Sequence, residues 1–153
     1  MENTLERQLK YHSWAMDILF NHLGAQPELP PDCLKLLQHI VNAESIWTSR
    51  VFGETPLVGV WEERPLPDCL KLHQESAAKL AALIRNEADL DRAVSYVNSQ
   101  GKAFTNSVHD IVIHLLNHGT YHRAQIAKGL RTHSLEPVNT DYITYARSKS
   151  IDL

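Results

Sequence analysis

Cysteine is scarce in this chain of 153 residues, which holds only Cys33 and Cys69. Two thiols are too few for the disulfide framework that staples small secreted domains, and they form no Cys-x-x-Cys pair. A reducing cytoplasm is the expected setting, with both side chains as structural thiols. Long apolar runs are missing too: none approaches the roughly 20 residues that a membrane span needs. The amino terminus is polar and charged, unlike an apolar signal segment. Basic residues are not in excess, since 15 Lys and Arg stand against 18 Asp and Glu for a formal net charge of -3. They are scattered and make no basic stripe, so neither nucleic acid nor membrane is an expected partner. Low-complexity tracts and interdomain linkers are also lacking. Residues 1–153 are read as one domain, long enough to bury roughly 70% of its unfolded surface around its own core. A metal bound to such a chain is expected to serve function rather than folding.

What the sequence has in quantity is helical periodicity. From Glu2 to about Leu23, the residues Leu5, Leu9, Met16, Leu19 and Leu23 recur at spacings of three, four and seven, with His12 in the same row and Gly24 as the stop. After the break from Pro27 to Pro31, Asp32 is the expected N-cap of a second helix running to about Phe52, ended by Gly53. That helix carries one stripe through Cys33, Leu37, Ile40, Val41, Trp47 and Val51 and another through Leu36, His39, Ala43 and Ile46, which marks it as central. Residues 54–67 contain three prolines and a glycine, predicting an irregular connection laid over the helices with Trp61 as its anchor. A third helix is expected from about Asp68 to Asn86, with Leu70, His73, Ala77, Leu80 and Ile84 on one row. Its start, PDCLKLHQ, resembles that of the second, PDCLKLLQ. The likeness stops after eight residues and reads as two similar helix starts, not a duplication. Around Asn98 to Gly101 a short irregular hairpin is expected, then a long helix over Ser107 to Arg131, then one or two turns between Asp141 and Arg147.

The long last helix carries His114, His118 and His122 at four-residue spacing. Each step of four advances about 40° past a full turn, so the row drifts across the helix surface. Measured against the stripe Val108, Ile111, Val112, Leu115, Ile126 and Leu130, His122 lies inside the apolar arc, His118 at its edge and His114 towards the polar flank. The inward pair is therefore His118 and His122. Two imidazoles at i, i+4 present two nitrogens to a borderline divalent metal but do not complete a site. The zinc-peptidase pattern H-E-x-x-H places a general base after the first histidine, and Gly119 stands there instead. Spacing leaves the third ligand open. His39 is one candidate, Glu44 reads as a solvated helix carboxylate, and His73 as a core position; His12 is left unassigned between a place near a buried polar site and the commoner outcome, a histidine satisfied by a core neighbour.

YHSWAMDILFNHL, LLQHIVNAESIW, and NHGTYHRAQIAKGLR with the later TDYITY resemble the first helix, second helix, and fourth helix with tail of the DinB/YfiT-like superfamily. This is the damage-inducible DinB family of small metal-binding proteins. The resemblance implies an all-α four-helix bundle with a long connection between helices 2 and 3, and up-down-down-up helix directions. It implies a metal held by His39, His118 and His122, with His114 outside the triad. The ion expected is zinc or nickel first, then iron or manganese. The implied activity is transfer of a small thiol to an electrophile. The alternatives are a hydrolase using metal-bound water and a non-enzymatic metal-binding stress protein. A small-molecule substrate, a low-molecular-weight thiol among the candidates, and a homodimer are the expected partners.

Overall fold

The computed structural model describes residues 2–149 and is mostly helical, with one small sheet. Four long helices, α1 (Thr4–Gly24), α2 (Pro31–Val51), α3 (Leu66–Asn86) and α4 (Val108–Thr132), are followed by a short α5 (Tyr142–Ser148). Between α3 and α4, strands β1 (Ala93–Val97) and β2 (Ala103–Ser107) pair antiparallel, with Tyr96 opposite Phe104. The hairpin is regular, not irregular as its composition suggested. Asn98 folds the turn by accepting from the backbone N–H groups of Gln100 and Lys102, while Gly101 takes the positive φ that the turn requires.

Helix starts follow local chemistry, with one correction. The Asn3 side chain accepts from the Glu6 N–H at 2.7 Å and Ser107 accepts from the Asp110 N–H at 3.0 Å, each satisfying an orphan donor of α1 or α4. Asp32 does not cap α2. Pro30 occupies that position without a side-chain bond, and Asp32 lies in the first turn, where its charge suits the helix dipole. α3 begins the same way after Pro65, two residues earlier than its periodicity predicted.

Long helices pack as α2 on α4, α2 on α3, α1 on α3 and α1 on α4. Among the described residues, most of their apolar side chains fall in two large clusters, beside a small third one where Tyr11 and Ala15 of α1 meet Tyr145 of α5. One gathers Leu5 and Leu9 of α1, Val51 of α2, Leu80 to Ile84 of α3 and Val108 to Leu116 of α4. The other gathers Met16, Leu19, Phe20 and Leu23 of α1, Cys33, Leu37, Ile40 and Val41 of α2, Cys69 of α3, and Ile126 with Leu130 of α4. Thus α1 and α4 run from the first cluster to the second, and α2 and α3 run the opposite way. Because α2 and α3 point in the same direction, residues 52–65 must return along a helix about 30 Å long. Fourteen extended residues reach at most about 50 Å, so the connection is long because the topology demands it. Among the described residues, no helix is long and apolar enough to cross a membrane.

Candidate metal centre

Between the two apolar clusters the side chains turn polar, and two groups of metal-capable residues lie at this level. The first is His39, His118 and His122, whose nearest ring nitrogens all lie within 4.8 Å of one another. α2 supplies His39 and one face of α4 supplies the other two, across the α2–α4 contact. His114 is exposed one turn earlier and packs its ring on Trp47, with centroids 5.2 Å apart, outside the group of three.

Hydrogen bonds determine where the ring protons sit. His39 Nδ1 stands 3.2 Å from the Val60 carbonyl oxygen. A carbonyl only accepts, so His39 carries its proton on Nδ1 and keeps the Nε2 lone pair free. His122 Nδ1 likewise donates to Gln125 Oε1 at 2.6 Å, leaving its Nε2 free. His118 Nε2 faces His39 Nε2 at 3.0 Å. Nitrogens bound about 2.0–2.1 Å from one ion at octahedral or tetrahedral angles stand roughly 2.9–3.4 Å apart, so this pair has ligand spacing. Burial lowers the pKa of His39, and burial with the adjacent His122 and His39 rings holds His118 at about 3. Both are therefore neutral at pH 7, as ligation requires. The donor set fits a divalent ion.

The connection after α2 is part of this site. Asn42 donates to the carbonyls of Val60 and Glu62, Arg64 donates to Asn42 Oδ1, and Gln38 donates to the Arg64 carbonyl. Segment 60–64 is thereby laid along α2. The Trp61 indole stacks on His39 at 4.0 Å between centroids and only 12° between planes, yet stays half exposed. Its anchoring role is thus exercised on a candidate ligand rather than in the apolar core.

The second group, His12, Glu44 and His73, is wholly buried. Glu44 is therefore not the solvated carboxylate its sequence position suggested. Its Oε1 accepts from His12 Nε2 at 2.6 Å and its Oε2 from His73 Nδ1 at 2.8 Å. From the far side, Arg123 Nη1 donates to His12 Nδ1 at 3.0 Å, and Arg123 Nη2 reaches Tyr11 Oη and Thr120 Oγ1. Because Arg123 can only donate, the His12 proton is on Nε2 and points at Glu44. Neither nitrogen of His12 has a lone pair for an ion, and the guanidinium beside it repels one. This group fits a buried ion-pair network and not a metal. His12, left unassigned from the sequence, is satisfied by Glu44 and Arg123, and His73 sits at the core-type position its row predicted.

Burial raises the Glu44 pKa, but the His73 charge and the two imidazole hydrogen bonds outweigh it and hold the carboxyl at about 2. His73 is pushed down by burial and raised overall by Glu44, whereas burial prevails at His12 and lowers it. The linkage with stability has a definite sign. On acidification through the ordinary histidine value of 6.5, the unfolded chain takes up protons at His12, His39, His114 and His118 before the folded chain does, which destabilises the fold; His73 acts in the opposite sense. Glu44 adds a further loss as pH falls from 4.5 towards 2. The urea midpoint of the metal-free chain is therefore expected to fall from pH 6.5 downwards. A flat midpoint between pH 6.5 and 3 contradicts these assignments.

Burial pushes both thiols, Cys33 and Cys69, up to about 11, which makes them inert at neutral pH. The family model of the DinB family matches residues 1–152. This chain belongs to the DinB family. It is similar to Protein DinB of Bacillus subtilis (strain 168), with 22% identity over 154 residues, covering 89% of this chain and 90% of the relative. For this DinB chain it was the family resemblance that pointed to His39 beside His118 and His122, and sequence reasoning missed Arg123, Gln125 and the burial of Glu44. The heptad-like row Val112, Leu116, Gly119, Arg123, Ile126 and Leu130 was the available signal for Arg123, since it places a charge on the core seam.

Proposed function

We propose that His39, His118 and His122 of this DinB-type four-helix bundle hold one divalent ion, zinc or nickel first, and that the protein activates a small thiol for transfer to an electrophile. The supporting observation is the convergence of His39 Nε2 and His118 Nε2 at 3.0 Å, with the His39 proton drawn away to the Val60 carbonyl. When bound, a divalent ion supplies a positive centre that lowers a thiol's pKa and holds the sulfur beside its reaction partner. The chain's own residues do the rest. Three neutral imidazoles add no negative charge, so the centre stays cationic and favours an anionic sulfur. Gln125 and the Val60 carbonyl orient the His122 and His39 rings, and Trp61 shields one face of His39 from water. Gly119, following His118, offers no base, which disfavours peptidase-type hydrolysis. Two buried, reduced thiols suit a reducing cytoplasm, and the family likeness supports a homodimer, which sedimentation at several concentrations tests.

The test uses untagged protein loaded with cobalt(II) as a spectroscopic stand-in. Adding a low-molecular-weight thiol is expected to produce a sulfur-to-metal charge-transfer band and to displace bound water. A spectrum indifferent to thiols but sensitive to hydroxide favours the hydrolase, and a spectrum inert to both favours a metal-binding protein without thiol chemistry.

A further inference from the structure

α4 has two working faces on one turn. Gly119 and Arg123 form a cradle for the His12 ring: a Cβ at Gly119 meets His12 Nδ1 at 2.8 Å, and Arg123 Nη1 already bonds that atom at 3.0 Å. His118 and His122 each stand one residue before a cradle residue, displaced about 100° around the helix and about 1.5 Å along it. A rotation or slide of α4 that carries the pair away from His39 must also pull His12 out of its cradle. His12 is in turn fixed to α2 through Glu44, which lies five residues beyond His39 on the same helix and is held from α3 by His73. One residue from each long helix thus meets in a single buried network.

We propose that His12, bridging Arg123 to Glu44, is a positioning residue for the metal triad: it sets the axial and rotational placement of α4 against α2, and through it the separation of His39 from His118 and His122. The proposal rests on the triad being the metal site. The network touches no ion itself, because both His12 nitrogens are engaged. Its contribution is to keep the three donors gathered within 4.8 Å of one another before the ion arrives, so that metal binding carries less cost of rearranging two helices.

Two variants of His12 separate positioning from simple support of the fold. His12→Gln keeps a donor for Glu44 and an acceptor for Arg123, and His12→Leu removes both at similar volume. Zinc affinity is measured by competition with a chromophoric chelator, at a temperature where each apo protein is folded by circular dichroism, and cobalt(II) spectra report ligand geometry. His12→Leu is expected to weaken zinc binding by about 10–100-fold, the range seen when groups that orient ligands are lost. It is also expected to alter the cobalt spectrum, while His12→Gln stays within a few-fold of wild type. If His12→Leu does not fold, His12→Asn takes its place, since its shorter amide does not span Glu44 and Arg123. Unchanged zinc affinity in a folded, bridge-breaking variant overturns the proposal, as does equal loss in the glutamine variant. A wild-type chain that takes up no zinc removes the metal reading and this inference with it; wild-type uptake with unaffected variants removes the inference alone.

Discussion

Alanine at His39, His118 or His122 is expected to weaken metal binding by more than about 100-fold, beyond the 10–100-fold that loss of a merely supporting group costs. Each substitution takes one of three donors, and the two remaining nitrogens no longer define the geometry that holds the ion. None of the three belongs to either apolar cluster, so helical content should stay near wild type. His114→Ala is the internal control and is expected to keep full stoichiometry, because its ring packs on Trp47. Metal content after dialysis, read beside far-ultraviolet circular dichroism, tests all four. Retention of metal by His39→Ala with loss in the other two places the third ligand elsewhere, and unfolding of all three makes the metal structural.

Gly119→Ala is expected to destabilise the chain by about 3–5 kcal/mol, comparable to breaking a buried ion pair. Helix propensity alone argues the opposite, since alanine is better than glycine in a helix interior by about 1 kcal/mol. The sign is reversed because the added methyl collides with the His12 ring and crowds Arg123 Nη1 at 3.1 Å, so His12 must leave its bond to Glu44. Urea unfolding measures the cost. In a His12→Ala background the same change should cost far less, because the obstructing ring is gone. A neutral or stabilising Gly119→Ala contradicts the cradle.

Much of this was legible in the sequence, for reasons that differ between elements. The four long helices were plain because periodicity and proline breaks reinforce each other, and the row Leu5, Leu9, His12, Met16 already places His12 inside. The inward orientation of His118 and His122 followed from the drift of a four-residue spacing. His39 did not follow from periodicity: bringing it to the pair depends on α2 packing on α4, a tertiary fact that local sequence does not encode. Glu44 was misread because a helical carboxylate is ordinarily solvated, and its burial depends on partners 32 and 29 positions away. Asp32 was misread as a cap because Pro30 and Pro31 already start α2 without one.

Loops between helices are ordinarily where a protein family accepts insertions and deletions most freely. The connection between α2 and α3 divides that freedom sharply. Residues 60–64 lend three carbonyls to Gln38, His39 and Asn42 and stack an indole on a candidate ligand, so a length change there reaches the donor set directly. The hydrogen bonds of residues 53–59 run instead to Ser49, Arg50, Lys79 and Glu62, away from the donor set, and Leu57 lies almost wholly in solvent. Variation in loop length among relatives, or an engineered insertion, belongs on the Gly53 side of Val60.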